Sequence, residues 1–283
     1  MKIGFCKLLW TTNVTAKHTA ILKDIKKTGY DGIEVPVFAG KPKDYAKLGA
    51  MLDDIGLERT TIAVIPDAAR SPISPDKAAR AAAVDHMKWA IDCSVALNAR
   101  QLAGPFLQPL GYFTGKSPTE TEWKRAAAVH RKAGDYARDA HVMIPLEAVN
   151  RFEIYFTNTM DGLARYVRLV DHPNIKGMYD TFHSNIEEQD PVAAYTRNAK
   201  ELVYVHISEN DRGVPGRGHV PWKETFAALR KAKYDGWLTI EAFGRGLPEL
   251  AAATRVWRDF AESPEAVYRD GYKFIRKMWD AAA

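Results

Sequence analysis

Val142-Met143-Ile144-Pro145-Leu146 is a strand-length apolar run closed by Glu147, and the same construction recurs three more times downstream. Ile175-Lys176-Gly177-Met178-Tyr179 ends on Asp180, Leu202-Val203-Tyr204-Val205 on His206, and Trp237-Leu238-Thr239-Ile240 on Glu241. Short runs of this kind, mostly β-branched or aromatic, read as buried parallel strands. Helix capping or pairing with an Arg would explain any one of these polar ends. It would not place one at each of four consecutive strands, whereas a single divalent metal at the mouth of a barrel requires that placement.

Working outward, further strand candidates occupy Lys2 to Cys6, Gly32 to Pro36, Arg59 to Val64 and Ala99 to Ala103. With Val142 to Glu147, Ile175 to Asp180, Leu202 to Ile207 and Trp237 to Phe243 they make eight. The segments between them carry helical periodicity, as in Ile21, Leu22 and Ile25, then Tyr45, Leu48, Leu52 and Ile55. Gly29 and Gly56 stand where a left-handed C-cap ends a helix. The turn Gly29-Tyr30-Asp31-Gly32 recurs as Lys233-Tyr234-Asp235-Gly236 before the last strand, which suggests equivalent junctions in a repeating architecture.

Alternation of this kind predicts an α/β fold, a single (β/α)8 barrel spanning residues 1–283 with an extra C-terminal helix over Glu262 to Ala283. No Ser-, Gly- or Pro-rich linker divides the chain. The longest connections, Pro66 to Pro75 and Pro105 to Pro118, follow strands three and four and therefore belong to the C-terminal face, where such barrels keep their sites.

A chain of 283 residues with 46% hydrophobic content has enough apolar mass for one large core. The formal charge of +5 is small for this length and no basic block stands out, which argues against a nucleic-acid or membrane partner and for a small molecule. Two cysteines, Cys6 and Cys93, form neither a disulfide framework nor a Cys-rich zinc site. Met1-Lys2 leads directly into Ile3-Gly4-Phe5 without a signal-type apolar region, and no stretch approaches membrane-spanning length, so the expectation is a cytoplasmic protein.

Three carboxylates and one imidazole are a set dominated by hard oxygen donors, which favours Mn²⁺, Mg²⁺ or Co²⁺ over a thiolate-type zinc site. Four protein ligands leave about two positions of an octahedral shell for a ligand with two adjacent oxygens.

The blocks around these positions are Glu147-Ala148-Val149-Asn150-Arg151-Phe152-Glu153, Asp180-Thr181-Phe182-His183-Ser184-Asn185-Ile186-Glu187-Glu188, His206-Ile207-Ser208-Glu209-Asn210-Asp211-Arg212 and Glu241-Ala242-Phe243. Together they resemble the signature blocks of the ketose 3-epimerases (D-tagatose, D-allulose and L-ribulose 3-epimerases) within the xylose isomerase-like barrels. The resemblance is carried mainly by the second half of the chain. It implies a metal, Mn²⁺ first, held by Glu147, Asp180, His206 and Glu241, with Glu147 and Glu241 doubling as the catalytic acid/base pair. It further implies that Glu153, His183 and Arg212 hold substrate oxygens near C1 to C3, and that the enzyme is a homodimer or homotetramer. The sequence departs from that pattern at Ser208, where Gly is expected, at Asp211, where His is frequent, and in the loop Gln108 to Lys116.

The implied reaction is inversion of C3 of a free ketohexose or ketopentose through a metal-stabilised enediolate, with one carboxylate on each face of C3. Trp10, Tyr112 and Phe243, near the expected mouth, suit the C–H faces of a sugar, and Glu34, ending strand two, suits a supporting acid. The alternatives are an aldose–ketose isomerase or a keto-inositol dehydratase on the same barrel, and a non-catalytic sugar-binding barrel. The last has no need of paired carboxylates. An apurinic endonuclease on this barrel would need several more histidines at strand ends than the sequence supplies.

Overall fold

The computed structural model describes residues 1–282. Among these the strands are β1 (Lys2–Cys6), β2 (Gly32–Pro36), β3 (Glu58–Ile62), β4 (Leu102–Ala103), β5 (Ile144–Leu146), β6 (Ile175–Asp180), β7 (Leu202–Ile207) and β8 (Trp237–Ile240). All ladders are parallel, in the order β4-β3-β2-β1-β8-β7-β6-β5. Single bridges, Gln101 with Met143 and Gly104 with Leu146, join the two outermost strands and close the sheet into a barrel. The α/β barrel expected from the alternation is therefore the fold.

Several strands are shorter than the sequence suggests. β4 keeps two residues of the expected Ala99 to Ala103, and β8 stops at Ile240 instead of Phe243. β5 keeps three residues around Pro145, which has no N–H to donate to a ladder. The apolar runs are longer than the ladders because barrel-mouth residues bury their side chains after backbone pairing has ended: Ala242 and Phe243 are buried beyond the end of β8.

The outer helices are α1 (Thr19–Thr28), α2 (Pro42–Ile55), α3 (Lys77–Ala96), α4 (Glu120–Asp139), α5 (Met160–Val170), α6 (Thr181–Glu187), α7 (Pro191–Asn198), α8 (Trp222–Lys231), α9 (Pro248–Thr254) and α10 (Pro264–Ala281). α1 and α2 end on Gly29 and Gly56 with φ of 119° and 78°, the left-handed caps read from the sequence. Leu22 and Ile25 bury the inner stripe of α1, each contributing about 1.5–3 kcal/mol of burial.

The helix expected over Glu262 to Ala283 is α10, and Ala283 lies outside the described residues. α10 completes the outer ring between α8 and α1. Phe274 meets Trp222 and Phe226 of α8, and the Tyr30 hydroxyl donates to the Tyr268 carbonyl. The supernumerary helices are instead α6 and α9, both on connections that leave the C-terminal ends of strands.

Gly104, at the joint between β4 and β5, has φ of 136°, and a Cβ there would lie 2.1 Å from the backbone oxygen of Ala63. Backbone cannot yield as a flexible side chain does, so Gly104→Ala is expected to destabilise the barrel by about 2–4 kcal/mol. A urea midpoint equal to that of the unaltered protein would contradict this account of barrel closure.

Candidate metal centre and active site

The parallel register sets the site. Asp180 pairs with His206 across β6 and β7, and Ile207 pairs with Ile240 across β7 and β8, so Glu241 follows at the same height. Glu147 follows β5 directly, and its N–H donates to the Gly104 carbonyl. Each strand thus delivers its polar terminus to the same end of the barrel, and one ligand atom from each of Glu147, Asp180, His206 and Glu241 lies within 4.8 Å of the others. His206 Nδ1 is 3.4 Å from Asp180 Oδ2, 3.6 Å from Glu241 Oε2 and 3.9 Å from Glu147 Oε1.

All four side chains are buried, and Glu147 Oε1 and His206 Nδ1 have no hydrogen-bond partner. Leaving buried polar atoms unpaired is costly unless something else satisfies them. Two orphaned donors converging with two further carboxylates, all hard ligands apart from one imidazole, fit a divalent cation of the Mn²⁺ or Mg²⁺ type.

The surrounding charges divide the carboxylates. Burial, then the neighbouring Glu241, raises the Glu147 carboxyl well above the usual range. Burial would do the same to Asp180, but Arg212 and then His183 outweigh it and hold Asp180 well below that range. Burial opposes charge on His206 as well, yet Glu34 and then Glu241 raise its pKa well above that of an ordinary imidazole.

Glu34, fully buried and in the middle of β2 instead of at its end, explains much of this. Its Oε2 lies 3.1 Å from His206 Nε2, and its Oε1 accepts from the Tyr204 hydroxyl at 2.9 Å. Tyr204 pairs in turn with Thr60 and Thr239, each at 2.8 Å, forming a polar layer inside the barrel below the ligand cluster. With its Nε2–H directed at Glu34, His206 turns Nδ1 towards the cluster, where a lone pair becomes available once that nitrogen gives up its proton.

His183 and Arg212 stand on the other side. The Asn150 N–H donates to His183 Nδ1 at 3.0 Å, which assigns the proton of the neutral ring to Nε2. Burial lowers the His183 pKa to about 4, so that ring is neutral at pH 7. Its Nε2–H faces Arg212 Nη2 at 2.9 Å and Glu147 Oε1 at 3.7 Å. Two donors that meet in this way satisfy neither, and both are served by an oxygen placed between them. Arg212 Nη1 donates to Glu241 Oε2 at 2.7 Å, Ser208 Oγ at 2.9 Å and Asp180 Oδ2 at 3.2 Å. Its guanidinium carbon lies 3.8 Å from the Phe182 ring and 5.0 Å from that of Phe243. Glu153 approaches through Asn150, whose Nδ2 donates to Glu153 Oε1 at 2.8 Å.

The aromatic residues expected near the mouth take three different places. Trp10 packs on Phe5 and Tyr268, with ring centroids 5.2 and 5.7 Å away, on the helix side of β1. The cause is strand alternation: Phe5 points outwards and Cys6 inwards, and the turn Lys7–Leu9 returns Trp10 to the face of Phe5. Tyr112 is 41% exposed and lines a cavity of about 410 Å³ at the rim with Tyr155, Lys116 and Arg125. Phe243 stays beside the Arg212 guanidinium and also shares an apolar cluster with Cys6, Leu8, Ile62, Ala251 and Val256.

Cys6, which the sequence marks only as part of no disulfide framework or Cys-rich zinc site, has its sulfur within 4.8 Å of ligand atoms of Glu34 and Glu241. The inward-facing parity of β1 was the available signal. The role of Ser208 has no local signal either, because its hydroxyl joins Arg212 of the same loop to the Glu241 carbonyl beyond another strand.

The sequence matches the family described as xylose isomerase-like TIM barrel over residues 22–278. It is 32% identical over 283 residues to an L-ribulose 3-epimerase of a Methylomonas species, covering 99% of this chain and 98% of the relative. It is 29% identical over 279 residues to a probable ketose 3-epimerase of a Synechocystis species, covering 99% and 97%. A solved structure of L-ribulose 3-epimerase superimposes with a TM-score of 0.92 at 29% identity, covering 99% of this chain and 95% of that one.

Proposed function

From the premise that this chain belongs to the xylose isomerase-like TIM barrel family and is a carbohydrate epimerase, we propose that it inverts C3 of a free ketose with the help of one divalent cation. The observation that carries the reading is the convergence of Glu147 and Glu241, delivered by different strands, on one buried point where Glu147 Oε1 and His206 Nδ1 lack partners. Relatives named L-ribulose 3-epimerase and ketose 3-epimerase support the same reaction type.

Glu147, Asp180, His206 and Glu241 would hold the cation, with Mn²⁺ first, then Mg²⁺ or Co²⁺. When bound, the cation acts as a Lewis acid that withdraws electron density from the carbonyl beside C3 and so acidifies the C3–H. The protein's own groups do the rest. His183 Nε2–H and the free N–H of Arg212 Nη2 both donate to one substrate oxygen, which relieves the donor–donor contact and orients C1 to C3. One glutamate takes the C3 proton and the other returns a proton to the opposite face, and the roles exchange in the reverse direction. Phe182 and Phe243 flank the Arg212 guanidinium and keep water away from it.

The test is incubation of purified protein and Mn²⁺ with D-fructose, D-tagatose and L-ribulose in D₂O. C3 epimers carrying deuterium at C3 are expected. Label at C1 would instead mean aldose–ketose isomerisation, loss of water a dehydratase, and binding without exchange a sugar-binding barrel.

A further inference from the structure

Ser208 lies just beyond β7, fully buried, at a position where the family pattern leads one to expect Gly. Its backbone is clamped to α6 from both sides: its N–H donates to Thr181 Oγ1 at 2.8 Å, and Thr181 Oγ1 donates back to its carbonyl at 2.7 Å. The Ser208 hydroxyl is equally committed. It donates to the Glu241 carbonyl at 2.7 Å, which leaves its lone pairs facing Arg212 Nη1 at 2.9 Å.

Nη1 carries two hydrogens and has three acceptors within reach: Glu241 Oε2, Asp180 Oδ2 and Ser208 Oγ. Two of these are carboxylates of the candidate metal centre. Ser208 Oγ is the acceptor outside that set, so it can keep Nη1 in place while Asp180 and Glu241 serve other partners. Arg212 needs such an anchor. Its backbone is in the left-handed region with φ of 65°, and its side chain must reach back over Phe182 to present Nη2 beside His183 Nε2.

We infer that Ser208 is a positioning residue for the epimerisation, whose hydroxyl ties Arg212 to strand β8 and so fixes the N–H that meets the substrate oxygen. The inference rests on the function proposed above.

A double-mutant cycle separates positioning from mere packing. Ser208→Ala removes the hydroxyl alone, and Ser208→Gly is a second variant of the same kind should Ala fold poorly. Each is expected to lower kcat/KM for the best ketose by about tenfold, the effect of losing one hydrogen bond to a charged group. The Mn²⁺ dissociation constant, measured by calorimetry, should change less than about threefold, since no proposed ligand is altered. In an Arg212→Lys background, where the planar guanidinium is absent, Ser208→Ala should cost less than about twofold.

An equal loss in both backgrounds would overturn the inference, as would an unchanged kcat/KM in the Ser208 variants or a fall in Mn²⁺ affinity that matches the fall in rate. If the unaltered protein exchanges no C3 proton on any ketose, the proposed reaction fails first and the inference goes with it. That result is distinct from an active protein indifferent to Ser208.

Discussion

Glu147→Gln and Glu241→Gln are each expected to reduce C3 epimerisation by about 10²–10⁴-fold, the usual contribution of a positioned acid or base, with Mn²⁺ still detectable in the purified protein. The amide keeps the volume and one oxygen of the carboxylate but can neither take nor return a proton. The two carboxylates come from β5 and β8, so removing either should stop inversion through its own half of the transfer. Single-turnover exchange in D₂O discriminates further: a variant that has lost only one partner can still wash the C3 proton out of one epimer while failing to form the other. Lys47→Ala, on the exposed face of α2, serves as the control and should leave the rate unchanged within about twofold. Substantial turnover in either glutamine variant would remove that carboxylate from the acid/base pair.

The second large effect is expected at a residue that touches no substrate. Glu34 receives the His206 Nε2–H and the Tyr204 hydroxyl in the fully buried layer below the ligands. An amide in its place can turn its NH₂ towards Nε2, which moves the imidazole proton to Nδ1 and points a hydrogen where the lone pair should be. Glu34→Gln should therefore weaken Mn²⁺ binding by about 10–100-fold, the usual cost of losing a supporting contact of this kind. Calorimetric titration reads the affinity, and ¹⁵N chemical shifts of His206 report the tautomer independently of activity. A dissociation constant within twofold of the unaltered protein would show that packing alone orients the ring. Because Glu34 and Glu241 raise the His206 pKa against burial, the metal must displace a proton there, so affinity should tighten as pH rises.

Much of this was legible in the linear chain. The apolar runs ending in Glu147, Asp180, His206 and Glu241 announced both the strands and the polar cluster at their ends, since a barrel strand delivers its last side chain to the mouth whatever precedes it. Gly29 and Gly56 marked helix ends because a left-handed residue is cheapest as glycine. Trp10 was less legible. An aromatic four residues past a strand can face the mouth or the helices, and the turn at Lys7–Leu9, which carries no distinctive residue, sent it to the helices. The two-residue β4 was equally obscure, because its pairing depends on how far the closing sheet must reach to meet β5.

The sequence by itself determined the order of strands and helices and which side chain ends each strand, because periodicity and termination are properties of neighbours along the chain. Only the tertiary structure decided that Glu34 would stand behind His206, that the Ser208 hydroxyl would bridge Glu241 and Arg212, and that the N–H groups of His183 and Arg212 would face each other. Apart from the Ser208–Arg212 bond, which spans four positions, those contacts join residues 29 to 172 positions apart. No local pattern encodes them, because they arise when eight strands, staggered by their mutual register, are bent into one closed cylinder.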